Sequence, residues 1–128
     1  MKLKIIFIIA AVYLALIGIG HLFAPVAMSA GVIPADASPG VVAFLRHYSA
    51  LFIAIAVMNW MVRNAEPSPA RNAIVLANII LFALSAILDV AAVLSGAGTS
   101  GLVPASMNLV VAALFIWAAR AKSLASQA

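Results

Sequence analysis

NAIVLANIILFALSAILDVAAVL, residues 72–94, decides the fold. The stretch is almost wholly apolar and holds one charged residue, Asp89. About 20 such residues, rising about 1.5 Å each in an α-helix, cross the roughly 30 Å hydrocarbon layer of a bilayer. The run shows no strict apolar–polar alternation, so it reads as a helix and not as a barrel strand. Lipid cannot satisfy backbone N–H and C=O groups, and a helix satisfies them within itself.

Working outward, three more runs have the same character: residues 3–23, 41–62 and 104–121. Each is close to the length a crossing needs. Ser38-Pro39 and Ser68-Pro69 place a capping hydroxyl before a proline suited to the first helical turn, and Pro104 suits the start of the fourth run. Gly96, Gly98 and Gly101 break the chain between the third and fourth runs. The spacing predicts an all-α fold: one domain over residues 1–128, a bundle of four membrane-spanning helices. The first run is expected to be a retained helix and not a cleaved signal peptide. It is longer than the usual apolar core of such peptides and lacks a clean small-x-small cleavage site.

Composition agrees. Hydrophobic residues make up 67% of the 128 residues and charged residues 8%, against roughly a quarter charged in a soluble domain. There are no cysteines, which excludes thiol nucleophiles, disulfide exchange and thiolate metal sites within the chain. No metal-ligating set is evident. The net charge of +4 does not point to nucleic acid, because the basic residues cluster at helix ends. Lys2 and Lys4 precede the first run, Arg63 and Arg71 flank the second loop, and Arg120 and Lys122 close the fourth run. The other two loops carry no Lys or Arg, so the positive-inside rule puts both termini in the cytoplasm. Trp60 and Trp117 each stand three residues before an arginine, at the depth of an interfacial aromatic belt. The first outer loop, residues 24–40, is the longest; its apolar middle, 26–33, suits a short interfacial helix or a plain crossover.

Polar residues inside the spans carry the functional signal. Counted from the basic layer, His21, Arg46 and Asp89 all lie about 17–18 residues away, or roughly 26 Å. His47 neighbours Arg46, and Ser85 and Asn108 form a second tier at roughly 20 Å. Asn78, Ser85 and Asp89 share one helix face. Asp89 is the single acid inside a span, and an intramembrane carboxylate calls for a partner in the bundle interior. Arg46 is the expected partner, in a bidentate pair. Such a pair is either a staple between the second and third spans or the centre of a site. Asn59 and Asn78 suit inter-helix hydrogen bonds, Gly18 and the alanines suit close helix contact, and Met28, Met58, Met61 and Met107 suit core filling.

Two functions from different classes fit this layer. In one, His21, Arg46, His47, Ser85, Asp89 and Asn108 line a site in the outer half for a hydrophobic ligand such as a quinone, isoprenoid or lipid, with the histidines exchanging protons. In the other, the chain is a non-catalytic accessory subunit or homo-oligomer, packed against a larger respiratory or photosynthetic membrane complex. Haem ligation by His21 and His47 is a minor alternative. Whether the chain is an enzyme stays open.

The segments Gly18-Ile19-Gly20-His21-Leu22-Phe23-Ala24-Pro25 and Phe44-Leu45-Arg46-His47-Tyr48-Ser49-Ala50-Leu51, with Trp60-x-x-Arg63, give the chain a resemblance to the small four-helix bacterial membrane proteins grouped as DoxX-like. That resemblance implies a multi-pass protein of the bacterial inner membrane and a role with hydrophobic ligands. It supplies no catalytic residues, and the absence of cysteine sets this chain apart from thiol redox.

Overall fold

The computed structural model describes residues 2–96 and 98–125, with side chains up to residue 120; the side chain of Lys122 lies outside that set. Among the described residues the chain is helical, without a named strand: α1 (Lys2–Phe23), α2 (Pro25–Met28), α3 (Pro39–Val62), α4 (Pro69–Leu94) and α5 (Leu102–Ala125), with a 3₁₀ turn at Thr99–Gly101 before α5. Four helices are long and apolar enough to cross a membrane, as in a small multi-pass membrane protein. The starts follow the sequence chemistry. Ser38 Oγ accepts from the Val41 N–H and Ser68 Oγ from the Arg71 N–H, with proline opening each helix. The fourth span begins at Leu102, two residues before Pro104. Proline is tolerated there because the first-turn N–H groups have no intrahelical acceptor anyway.

The helices assemble as two pairs. α1 packs most extensively on α3 and α4 on α5, and α1 meets α5 to join the pairs. α3 and α4, although consecutive, pack on each other less than any of these. The order across the bundle is therefore α3, α1, α5, α4. Between α1 and α3 the contact is tight at Gly18, where an added Cβ would lie 2.7 Å from Ile53 Cγ1 and 3.1 Å from the Ser49 carbonyl oxygen. Where α1, α4 and α5 meet, Phe7, Phe82 and Phe115 are fully enclosed. Phe7 meets Phe115 edge-on at 5.4 Å between ring centres, and Phe82 stacks on Phe115 at 6.3 Å.

The outward faces carry large apolar side chains, among them Leu16, Leu51, Met61, Ile87 and Leu94. Lipid as solvent accounts for a surface that water would not tolerate. The methionines differ from expectation for the same reason: Met28, Met61 and Met107 are exposed, since in lipid an apolar side chain gains little by turning inward. The first outer loop does hold a short helix, α2, which packs on α1 and α3. The loop then reaches the α4–α5 turn: Gly31, at φ +82°, leaves so little room that a Cβ would lie 2.6 Å from Ser100 Oγ.

Candidate functional site

Asp89 and Arg46 do not pair. Asp89 Oδ2 accepts a hydrogen bond from Asn108 Nδ2 at 3.0 Å, and no ion pair reaches either residue among the described residues. Arg46 is exposed. The cause lies in the packing order. Arg46 on α3 was the expected partner, but α4 packs chiefly on α5 and little on α3, so it presents its carboxylate to α5. Half-buried near the end away from the termini, Asp89 is closed over by Gly101, where a Cβ would stand 3.2 Å from the Asp89 carbonyl oxygen.

The network continues inward. Asn108, itself buried, accepts on Oδ1 from the Tyr13 hydroxyl at 3.2 Å. One oriented chain thus links α1, α5 and α4: Tyr13 donates to Asn108, and Asn108 donates to Asp89. Tyr13 is the member that sequence reasoning missed. It lies about nine residues beyond Lys4, so its hydroxyl sits in a span where it needs a protein acceptor; that was the available signal. Chemically the chain is a clamp. The central amide donates through nitrogen and accepts through oxygen, so it cannot pass a proton without leaving its stable form.

Ser85 is on the Asp89 face of α4, half-buried, and its hydroxyl makes no hydrogen bond among the described residues. His21 belongs to a separate cluster. Its Nδ1 lies 3.0 Å from the Ile17 carbonyl oxygen, which can only accept, so Nδ1 carries the hydrogen. In the neutral ring Nε2 then accepts from the Ser29 hydroxyl at 3.3 Å. The ring also packs beside Phe52 at 6.0 Å, next in a row with Tyr48 and Phe44. His21 thereby ties the end of α1 to the turn after α2. His47 is exposed and stands about 140° around α3 from Phe52. The two imidazoles do not face one another, which removes the geometry for haem ligation by this pair.

A second polar contact serves the bundle alone. Asn59 Nδ2 donates to Asn78 Oδ1 at 3.0 Å, and Asn78 Nδ2 returns the bond at 2.8 Å, with both residues fully enclosed. Asn78 also donates to the Ile74 carbonyl at 2.8 Å. The inter-helix role expected of these amides is what the structure shows, and it closes α3 on α4.

Beside the clamp, α4 and α5 leave a groove of about 640 Å³ opening sideways, at the end of the bundle away from the termini. Ala83, Ala86, Val90, Leu94, Ala105 and Leu109 are among the residues that line it. Ser106 is its one hydroxyl, and that hydroxyl donates to the Val103 carbonyl at 2.8 Å. The groove offers an apolar guest shape and almost no hydrogen bonding. Asp89, about 100° around α4 from Val90, does not line it. The clamp holds together the two helices whose outer edges form the groove. No protein-family model matches the chain, and comparisons with curated proteins and with solved structures find no match either.

Proposed function

We propose that this protein holds a hydrophobic chain, of an isoprenoid or a lipid, in the membrane. The supporting observation is the apolar groove between α4 and α5, whose volume of about 640 Å³ falls within the range of small-molecule sites. Small residues such as Ala83, Ala86 and Ala105 open the space, and the Asp89–Asn108–Tyr13 clamp holds its walls at a fixed separation. The resemblance to DoxX-like proteins supports the same role and a bacterial inner-membrane location. The gathering of basic residues at the end that carries the termini supports a cytoplasmic placement for that end.

Mass spectrometry of the protein purified from its own membranes in mild detergent tests the reading. One isoprenoid or lipid species should be enriched over bulk membrane, and Ala91→Phe, which fills the groove from its exposed rim, should abolish the enrichment. Bulk lipid composition in both proteins would end the proposal.

One observation favours a second reading, that of an accessory subunit. α3 is the least buried of the four spans, and it exposes Arg46 and His47 between Phe44 and Tyr48. Ionisable groups on an outward face of a span are met by a partner helix or a lipid headgroup. A stoichiometric partner in the same purification, released by Arg46→Leu, would favour this reading.

A further inference from the structure

Arg71 is a buried cation with no anion beside it among the described residues. Its relative exposure is 8%, and its Nε is enclosed without a hydrogen-bond partner. No carboxylate pairs with it among the described residues. The surroundings make this unusual. Arg63 at the same end lies over the Trp60 ring, 4.0 Å from its centre, and donates to the Trp60 carbonyl oxygen. Lys2 lies 4.4 Å above the centre of the Trp117 ring. These two cations are exposed or half-exposed and placed on indoles. Arg71 is buried and makes no such contact among the described residues.

Its position favours an anion in three independent ways. Arg71 is in the first turn of the 26-residue helix α4, and that turn contains no acidic residue. The positive end of the helix dipole therefore lies beside it, and since Pro69 has no N–H and Ser68 accepts from the Arg71 and Asn72 N–H groups, the Ala70 N–H is the donor of that turn left for an anion. Side chains on a helix lean toward its N-terminus, so the guanidinium is directed along that same turn. The end of the bundle is also strongly basic: Lys2, Lys4, Arg63, Arg71, Arg120 and Lys122 stand against one acid, Glu66.

We propose that the first turn of α4 is a phosphate site, with the Arg71 guanidinium as its principal ligand. The two terminal nitrogens of the guanidinium, which are not enclosed as Nε is, form a fork that matches two oxygens of a phosphate group. The phosphate belongs either to an anionic phospholipid headgroup or to a free phosphate in solution. This site is at the opposite end of α4 from the apolar groove and is independent of what fills that groove.

Native mass spectrometry of the intact protein in detergent tests it, with phosphatidylglycerol, phosphatidylcholine and inorganic phosphate as probes. The wild type should retain phosphatidylglycerol over phosphatidylcholine. Arg71→Gln should reduce that preference about tenfold, the size of effect that loss of one charge-assisted hydrogen bond implies. Arg63→Gln, which removes a charge already engaged with Trp60, should keep the preference. Displacement of bound phosphatidylglycerol by inorganic phosphate identifies the free ion as the ligand; retention against it identifies the headgroup. Equal retention of the two lipids by the wild type overturns the proposal, as does an equal loss in Arg63→Gln and Arg71→Gln. If Arg71→Gln does not fold, Arg71→Lys decides. It keeps the charge and removes the fork, so an unchanged preference in that variant also overturns the site.

Discussion

Asn59 and Asn78 exchange their side-chain amide hydrogen bonds across α3 and α4, each donating to the other inside a fully enclosed contact. Backbone packing between these two helices is slight, so the amide pair is a main source of their adhesion. Replacing Asn78 with Leu strands both polar groups of the Asn59 amide in an apolar interior, whereas replacing Asn59 strands only Asn78 Oδ1, because Asn78 Nδ2 keeps the Ile74 carbonyl. The cost should be about 1–2 kcal/mol, between the soluble-protein penalty and the smaller values typical of membrane bundles. Replacing both should cost less than the sum of the single changes. Steric-trap or denaturant unfolding in mixed micelles, run as a double-mutant cycle, measures the coupling. Strict additivity would show that the pair contributes nothing as a pair.

The clamp of Tyr13, Asn108 and Asp89 makes a graded prediction. Asn108→Leu removes both hydrogen bonds and leaves the Asp89 carboxylate without its donor, so it should lower the melting temperature most. Tyr13→Phe removes one bond of 3.2 Å and should cost about 0.5–1.5 kcal/mol. Arg46→Gln should leave the melting temperature unchanged, since the exposed Arg46 has no partner among the described residues. A large loss on Arg46→Gln together with an unaltered Asn108→Leu would restore the pairing of residues 46 and 89 and remove the clamp.

That contrast marks where the sequence is informative. The four spans, their capping serines and an inter-helix role for Asn59 and Asn78 follow from local chemistry: apolar length, a hydroxyl before proline, and amides that need hydrogen-bond partners in lipid; that these two amides pair with each other is read only from the packing. The depth count sets Asp89 and Asn108 in separate tiers, at roughly 26 and 20 Å, and their hydrogen bond spans that step. What a one-dimensional count lacks is the angular order of the helices. Asp89 could face α3, α5 or α1 at the same depth, and only packing at Gly18 and around Phe115 selects α5. Tyr13 signals only that its hydroxyl needs an acceptor; which acceptor depends on α1 lying beside α5.

Gly18 sets how closely α1 approaches α3. A Cβ there would press on Ile53 Cγ1 at 2.7 Å, with the backbone of α3 at 3.1 and 3.2 Å behind it. A backbone cannot rotate aside as a side-chain tip can, so the helices must separate. Gly18→Val should destabilise the bundle by about 1–3 kcal/mol, the usual cost of overpacking. It should also loosen the buried Ser49, which lies on the same contact. Unfolding measured beside Gly20→Ala gives a comparison, because the atoms nearest the Cβ of that variant belong to the flexible Met28 side chain and not to a backbone.

Orientation in the membrane follows from the charge asymmetry and is testable because the chain holds no cysteine. A single introduced thiol therefore reports one position without background. Asn64 and Ser100 are both exposed in loops, at opposite ends of the bundle. Asn64 adjoins Arg63 in the basic end, which the positive-inside rule assigns to the cytoplasm. Ser100→Cys should react with a membrane-impermeant maleimide from outside intact spheroplasts, and Asn64→Cys only after permeabilisation. The reverse pattern would place the termini outside and move the α4–α5 groove to the cytoplasmic half. Labelling of both thiols in sealed cells would mean that the chain inserts in two orientations. In that case the asymmetry of Lys2, Lys4, Arg63 and Arg71 is too weak to choose between them, and adding one lysine at position 64 should restore a single direction of insertion.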